Sequence, residues 1–364
     1  MSEAPGPLRG VRVVDTADGS AALAGRLLAD MGAEVWTIEP PEGISARRLS
    51  PSFFAYYHAG KRSLVADPRS NEDRERLRRL LACADVWLDT SSVAKPSPWG
   101  LEPSAVAAAE PRLVVASVTP FGLGGPYAGY RANDLVAQAA GGMAFTNGHP
   151  GQTPLQGYGL QAYHSASLYA LIGILLALLE RDRSGRGQLV EVSLQEATAS
   201  AVEEMSSAWN GERRIEVRRG SIHWTRAFAV GRCRDGYVMY CSIGDWTTLH
   251  EWLKSGGAGE ELDGPEWDDF FYRRQHAEEI FRAMDRFAAG QKAAEVLEGA
   301  QLRRLPFAAV RPPEALVDDP QLVARQFFSP IDLGGSTDRI LFPGPPLRMS
   351  ATPLRTRSGP PVLG

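Results

Sequence analysis

Several kinds of signal are scarce or missing in this 364-residue chain, and each absence removes a class of function. There are only three cysteines, Cys83, Cys233 and Cys241. An odd number without metal-ligand spacing argues against a disulfide framework or a metal site, and for reduced thiols in a cytoplasmic protein, read as small buried hydrophobes. No block of like charge occurs: 39 basic and 43 acidic residues are interspersed, with a formal net charge of -4. That balance offers no electrostatic reason to bind nucleic acid or an acidic membrane, and leaves small molecules or proteins as partners. The opening MSEAPGPLRG has no basic patch followed by an apolar stretch, so it reads as a tail and not as a secretion signal. The most apolar segment, Leu168 to Leu179, is about a dozen residues long where a bilayer span takes roughly 20. It is expected to be a core helix.

What is present is a pattern. Apolar runs and amphipathic runs alternate through the first third: VRVVD, AALAGRLLADMG, EVWTIE, NEDRERLRRLLAC, DVWLD and PRLVVASV. They read as strand, helix, strand, then helix, strand and strand, with Gly32 closing the first helix. The strands lack in/out alternation, as strands of a parallel sheet buried on both faces do, so a doubly wound α/β domain is expected. GQLVEVSLQEATAS adds a strand and a helix, continuing the sheet to about Ala201. Thereafter RAFAVGRCRDGYVMYCSI alternates around Arg234-Asp235-Gly236, a hairpin signal, and two amphipathic helices ending in glycine follow. The expected organisation is a large domain over 1–221, a small α+β domain over 222–318, and an extended proline-rich segment over 319–364 lying on the surface or on another subunit.

Four stretches carry candidate chemistry. TPFGLGGPYAG follows a strand, so Gly122, Gly124 and Gly125 either let backbone amides approach a phosphate or thioester oxygen, or simply form a tight turn. They miss the G-x-G-x-x-G spacing of a dinucleotide site. HAGKRSLVADP sets Lys61 and Arg62 before a short apolar run, as phosphate contacts or as a solvated turn. Arg131, Asn133 and Asp134 precede a helix, where Asn133 or Asp134 is a natural N-cap. Tyr163, His164 and Ser165 precede the core helix. Ser165 is a candidate N-cap, and the positive end of the helix dipole lowers the pKa of His164, which makes it either a base or a hydrogen-bonded structural histidine.

Taken together and in order, LRGVRVVD, LLADMGAEVWTIEPPEG, GKRSLVAD, FGLGGPYAGYRANDLVAQAAGG, LYALIGILLALLERDRSGRGQLVEVSL, LPFAAVRPPEALVDDPQLVARQFF and FPGPPLRMSATP resemble the family III CoA-transferases, which include formyl-CoA transferase, carnitine CoA-transferase and α-methylacyl-CoA racemase. The resemblance implies a Rossmann-like large domain built from both chain ends, a small domain between them, and two chains interlocked as a dimer. It implies coenzyme A or an acyl-CoA as the substrate, together with a small carboxylic acid. It also implies basic CoA contacts at Lys61, Arg62 and Arg131. Two departures stand out. Tyr163 falls where the transferases carry the aspartate that attacks the thioester, and Asn133 falls where the racemases carry a histidine. In addition, DTSSVAKP replaces the usual ENFRPG loop, where Lys95 is a substitute cation.

A phenol with a reference pKa near 10 is un-ionised at neutral pH and its ester is not an anhydride, so the usual ping-pong route is not expected through Tyr163. Three roles remain. The chain is an acyl-CoA enzyme with an atypical site in which Tyr163 and His164 act, a noncatalytic subunit paired with an active homologue, or an enzyme recruited to a substrate without CoA; the expected assembly is a homodimer or a heterodimer with a homologous subunit.

Overall fold

The apolar runs of the first third become one sheet in a computed structural model that describes residues 6–203, 205–333 and 339–364. In chain order come β1 (Arg12–Asp15), α1 (Ala22–Asp30), β2 (Glu34–Glu39), α2 (Pro51–His58), β3 (Arg62–Val65), α3 (Asn71–Ala82) and β4 (Val86–Asp89). Then follow α4 (Pro103–Ala109), β5 (Val114–Thr119), α5 (Asp134–Ala140), α6 (Met143–Thr146), α7 (Gln161–Ser184), β6 (Leu189–Ser193) and α8 (Leu194–Ser200). The six strands lie in the order β3-β2-β1-β4-β5-β6 and every neighbouring pair is parallel. This is the doubly wound α/β sheet that the unalternated strands predict; β4 and β5 are buried at every position. The winding direction reverses between β1 and β4, which opens a crevice at the carboxyl ends of those strands.

Among the helices just given, α2, α4 and the single-turn α6 escaped the sequence reading. α2 begins after Ser50, whose hydroxyl accepts from the Phe53 amide, with Pro51 in the first turn. α4 is capped by the Glu102 carboxylate, again with proline at its start. Both are short and lack an apolar period. α1 ends as expected: Gly32 follows the cap with φ +98°, a conformation that a side chain strains.

α7 has 24 residues, twice the length of the apolar run, and by length and composition alone it matches a membrane span. Its small-residue stripe, Ala162, Ala166, Ala170, Ile174 and Ala177, is instead buried in the core with β5 and α1. Gly173 permits close contact with β6, because a Cβ there would stand 2.5 Å from Val190 Cγ1. The opposite stripe, Leu168, Ile172, Leu176 and Leu179, is 48–60% exposed.

The chain divides into two units. The larger comprises the chain up to Ala144, Gln156–Ser207 and Val317–Gly364, and the smaller Phe145–Leu155 and Ala208–Leu316. The expected break after residue 221 therefore falls inside the smaller unit. α9 (Met205–Glu212) contains the boundary after Ser207. The smaller unit holds the antiparallel sheet of β7 (Phe228–Cys233), β8 (Gly236–Cys241) and β9 (Ala308–Val310), joined at Arg234-Asp235 as the hairpin signal predicts. α10 (Trp246–Ser255), α11 (Phe270–Gln275), α12 (Ala277–Ala289) and α13 (Ala293–Leu302) accompany it. α14 (Pro320–Ala324) and the hairpin β10 (Phe328–Asp332), β11 (Arg339–Pro343) belong to the larger unit.

The proline-rich tail runs irregularly over the larger unit. The Arg355 amide donates to the Asp30 carbonyl, the Thr356 hydroxyl to the Asp30 carboxylate, and the Gly60 amide to the Ser358 carbonyl. Among the cysteines, Cys233 and Cys241 are buried, but Cys83 is exposed at the C-cap of α3, so it is not the buried hydrophobe expected.

Lys61 is wholly buried, its ammonium 2.8 Å from Asp15 Oδ2 and 3.0 Å from the Ala22 carbonyl. Removing one partner of such a pair leaves a buried charge uncompensated. Lys61→Met is therefore expected to cost about 3–5 kcal/mol in urea unfolding. Arg62→Ala, which removes an exposed pair with Glu34 and an exposed guanidinium contact on the Trp36 ring, should cost less, under about 2 kcal/mol.

Candidate active site

Three loops and two helix starts meet at the carboxyl end of the sheet. The loop after β1 brings Asp18 and Ser20, the loop after β4 brings Thr90, Ser92, Ala94 and Lys95, and the segment after β5 brings Pro120 and Tyr130 to Ala132. Tyr163 from the first turn of α7 and Leu194 at the start of α8 complete a cavity of about 390 Å³. The crevice lies at the reversal of strand order, the place where open α/β sheets bind ligands.

The β1 and β4 loops are cross-tied. The Asp18 amide donates to Thr90 Oγ1 at 2.9 Å, and Ser92 and Lys95 exchange backbone hydrogen bonds across a tight turn. Asp18 Oδ1 accepts from the Ser20 amide and hydroxyl, and its Oδ2 accepts from Lys95 Nζ at 2.7 Å. Partial desolvation opposes ionisation of Asp18, but the Lys95 ammonium and the Ser20 donors outweigh it, and its pKa falls below the usual carboxylate value. Arg131 borders the cavity and, among the described residues, makes no ion pair or hydrogen bond.

Tyr163 is set by a cap supplied from elsewhere. Asn133 caps α5 through the Val136 amide, while Asp134 Oδ1 accepts the Tyr163 amide at 2.9 Å. α7 thus begins at Gln161, and Ser165, expected as its N-cap, lies inside the helix. Burial first, then the Asp18 and Asp134 carboxylates, raise the Tyr163 phenol pKa, so it stays protonated and is a donor.

The other candidates lie elsewhere. His164 does not border the cavity; its Nε2 is 2.8 Å from the Tyr57 hydroxyl, and its ring packs near Tyr56 and Tyr57 of α2. Its pKa is lowered as expected, with burial as the main cause. Tyr57 is pushed up to about 12 by burial and stays a phenol, which shares one hydrogen bond with His164 Nε2 whose direction follows the imidazole tautomer. Lys61 is taken up by Asp15 beneath the loop, and Arg62 sits at the first residue of β3, paired with Glu34 at the first residue of β2, the end of the sheet away from the cavity. Gly122, Gly124 and Gly125 form a turn held by Thr119 and Glu191 and do not line the cavity. Sequence reasoning passed over Asp18, Ser20, Thr90 and Ser92. Their signal was position alone, immediately after the first and fourth strands of a doubly wound sheet. No cluster of three or more metal-ligating side chains occurs among the described residues.

Fold and crevice place the chain among doubly wound α/β proteins with a cavity at the switch point of the sheet. Comparison with known proteins narrows this: the model of CoA-transferase family III matches residues 8–364, and the chain belongs to that family. It is 32% identical to the succinyl-CoA:(R)-benzylsuccinate CoA-transferase subunit BbsE of Thauera aromatica, over 87% of this chain and 82% of that protein. Identity is 28% with the succinyl-CoA–L-malate CoA-transferase beta subunit of Chloroflexus aurantiacus, over 98% and 91% respectively. A crystal structure of a CAIB/BAIF family protein from Brucella suis superposes with a TM-score of 0.88 at 26% identity, covering 99% of this chain and 97% of that one.

The histidine geometry has a pH signature. An unfolded imidazole takes a proton near pH 6.5, whereas folded His164 resists it, and so does buried His58, lowered to about 2. The unfolded state therefore binds more protons below pH 6.5, and stability falls as pH drops through that value. Denaturant midpoints measured between pH 7.5 and pH 5 should show this decline, and His164→Gln should make it shallower.

Proposed function

We propose that this chain binds acyl-CoA thioesters, of the succinyl-CoA type named for its relatives, in the switch-point cavity. The observation that carries this reading is Arg131: a guanidinium at the cavity without an ion-pair partner among the described residues, in a cavity that Lys95 also lines, suits an anionic ligand. Tyr163 supplies a neutral donor to a thioester oxygen instead of the aspartate expected at its position. His164 faces Tyr57 and positions α2 against α7.

A second reading is favoured by the bare apolar stripe of α7 and by the relatives named as subunits. In it the stripe is covered by a second chain, identical or homologous, in the interlocked dimer that the family resemblance implies.

Coenzyme A at roughly 100 times its Kd should add about 2.7 kcal/mol to stability, read as a higher melting temperature. Arg131→Ala should weaken that binding about 10- to 100-fold by calorimetric titration, the worth of a charged hydrogen bond; an unchanged melting curve with CoA would remove the first reading. For the second, light scattering should show an assembly larger than one chain, which Ile172→Glu converts to single chains.

A further inference from the structure

The cavity that holds Tyr163 also holds a carboxylate. Asp18 is fixed by its backbone, through the Thr90 hydroxyl, and by its side chain, through Ser20 and Lys95. The loop that carries it runs beside Tyr163: a Cβ added at Gly19 would come within 4.0 Å of Tyr163 Cε2. Asp18 remains 41% exposed, and Lys95 67% exposed, so the pair opens onto the cavity and is not sealed beneath it.

Resting on the acyl-CoA reading above, we propose that Asp18 is the nucleophile of this chain. One carboxylate oxygen bonds to the thioester carbonyl carbon, the carbon–sulfur bond breaks, and its electron pair leaves with the CoA thiolate. Asp18 is then a mixed anhydride with the acyl group, and no proton or external reagent is needed. Lys95 keeps the resting carboxylate ionised, and an anionic substrate entering the cavity competes with Asp18 for the ammonium, which frees Oδ2. Ser20 retains Oδ1 and with it the orientation of the group. The Tyr163 phenol, protonated, lines the same cavity and is the donor for the developing oxyanion.

The test treats the full chain with succinyl-CoA in the presence of hydroxylamine, which converts an activated carboxyl to a stable hydroxamate, and maps the modified peptide by mass spectrometry. A hydroxamate on Asp18 that requires succinyl-CoA, and disappears in Asp18→Asn, is the expected result. CoA should still raise the melting temperature of Asp18→Asn. Mapping the unaltered chain keeps the test valid even where the variant fails to fold. CoA stabilisation with Asp18 unmodified, or with the label on Tyr163 or another residue, overturns the assignment and leaves the binding reading standing. Absence of any CoA stabilisation overturns both.

Discussion

The geometry of the site hangs on one buried carboxylate at the end of β1. Asp15 takes the Ala17 amide on one oxygen and the Lys61 ammonium on the other, and Lys61 also donates to the Ala22 carbonyl. Strand end, loop and helix start are thereby tied to the residue just before β3. An unpaired charge in that interior would carry a desolvation cost that nothing else offsets, so the three groups must meet if the chain is to fold. Gly25 leaves room for them, since a Cβ there would stand 2.7 Å from Asp15 Oδ2 and 2.8 Å from Lys61 Nζ. The loop so closed runs from Thr16 to Ala21 and presents Asp18 and Ser20. Thr16 in turn accepts from the Trp87 indole and donates to Asp89, which joins the β1 and β4 loops into one wall.

The opposite wall obeys a similar rule. α7 has no capping side chain of its own, and Asp134 fills the role from α5, placing negative charge where the helix dipole favours it. Its other oxygen accepts from Gln138, whose carbonyl accepts the Gly157 amide, so the start of α7 and the segment before it are held together. This fixes the turn from which Tyr163 enters the cavity. One residue further along, the helix directs His164 to α2. Two adjacent residues thus have unrelated environments because a helix separates neighbours by about 100°.

Much of the fold was legible because strands buried on both faces and helices with an apolar stripe leave periodic traces, as VRVVD, EVWTIE and QHAEEIFRAMDRFAAG do. The doubly wound sheet and the small-unit hairpin follow from them. The site was less legible because it is non-local. Lys61 in HAGKRS looks like a solvated loop cation, and only its pairing with Asp15, 46 residues away, buries it. Asp18, Ser20 and Thr90 look like ordinary turn residues until strand order makes β1 and β4 neighbours. Tyr163 and Arg131 stood out as residues just before helices, the family resemblance gave them roles, and the structure brings both to one cavity; it sends Lys61, Arg62, His164 and the three glycines elsewhere.

The charges around that cavity are unequal in a way that bears on its ligand. Lys95 and Arg131 face a single lining carboxylate, Asp18, and Tyr163 stays neutral. The Asp18–Lys95 pair is exposed, and pairs of that kind contribute only about 0–1 kcal/mol, against about 3–5 kcal/mol for breaking one as buried as Asp15–Lys61. The first can therefore exchange partners at little cost while the second cannot. A phosphate or carboxylate arriving at Arg131 meets a second cation that is cheaply released, and its arrival leaves behind an ionised, oriented carboxylate. The same neighbourhood thus combines a rigid frame below the loop with a labile charge above it.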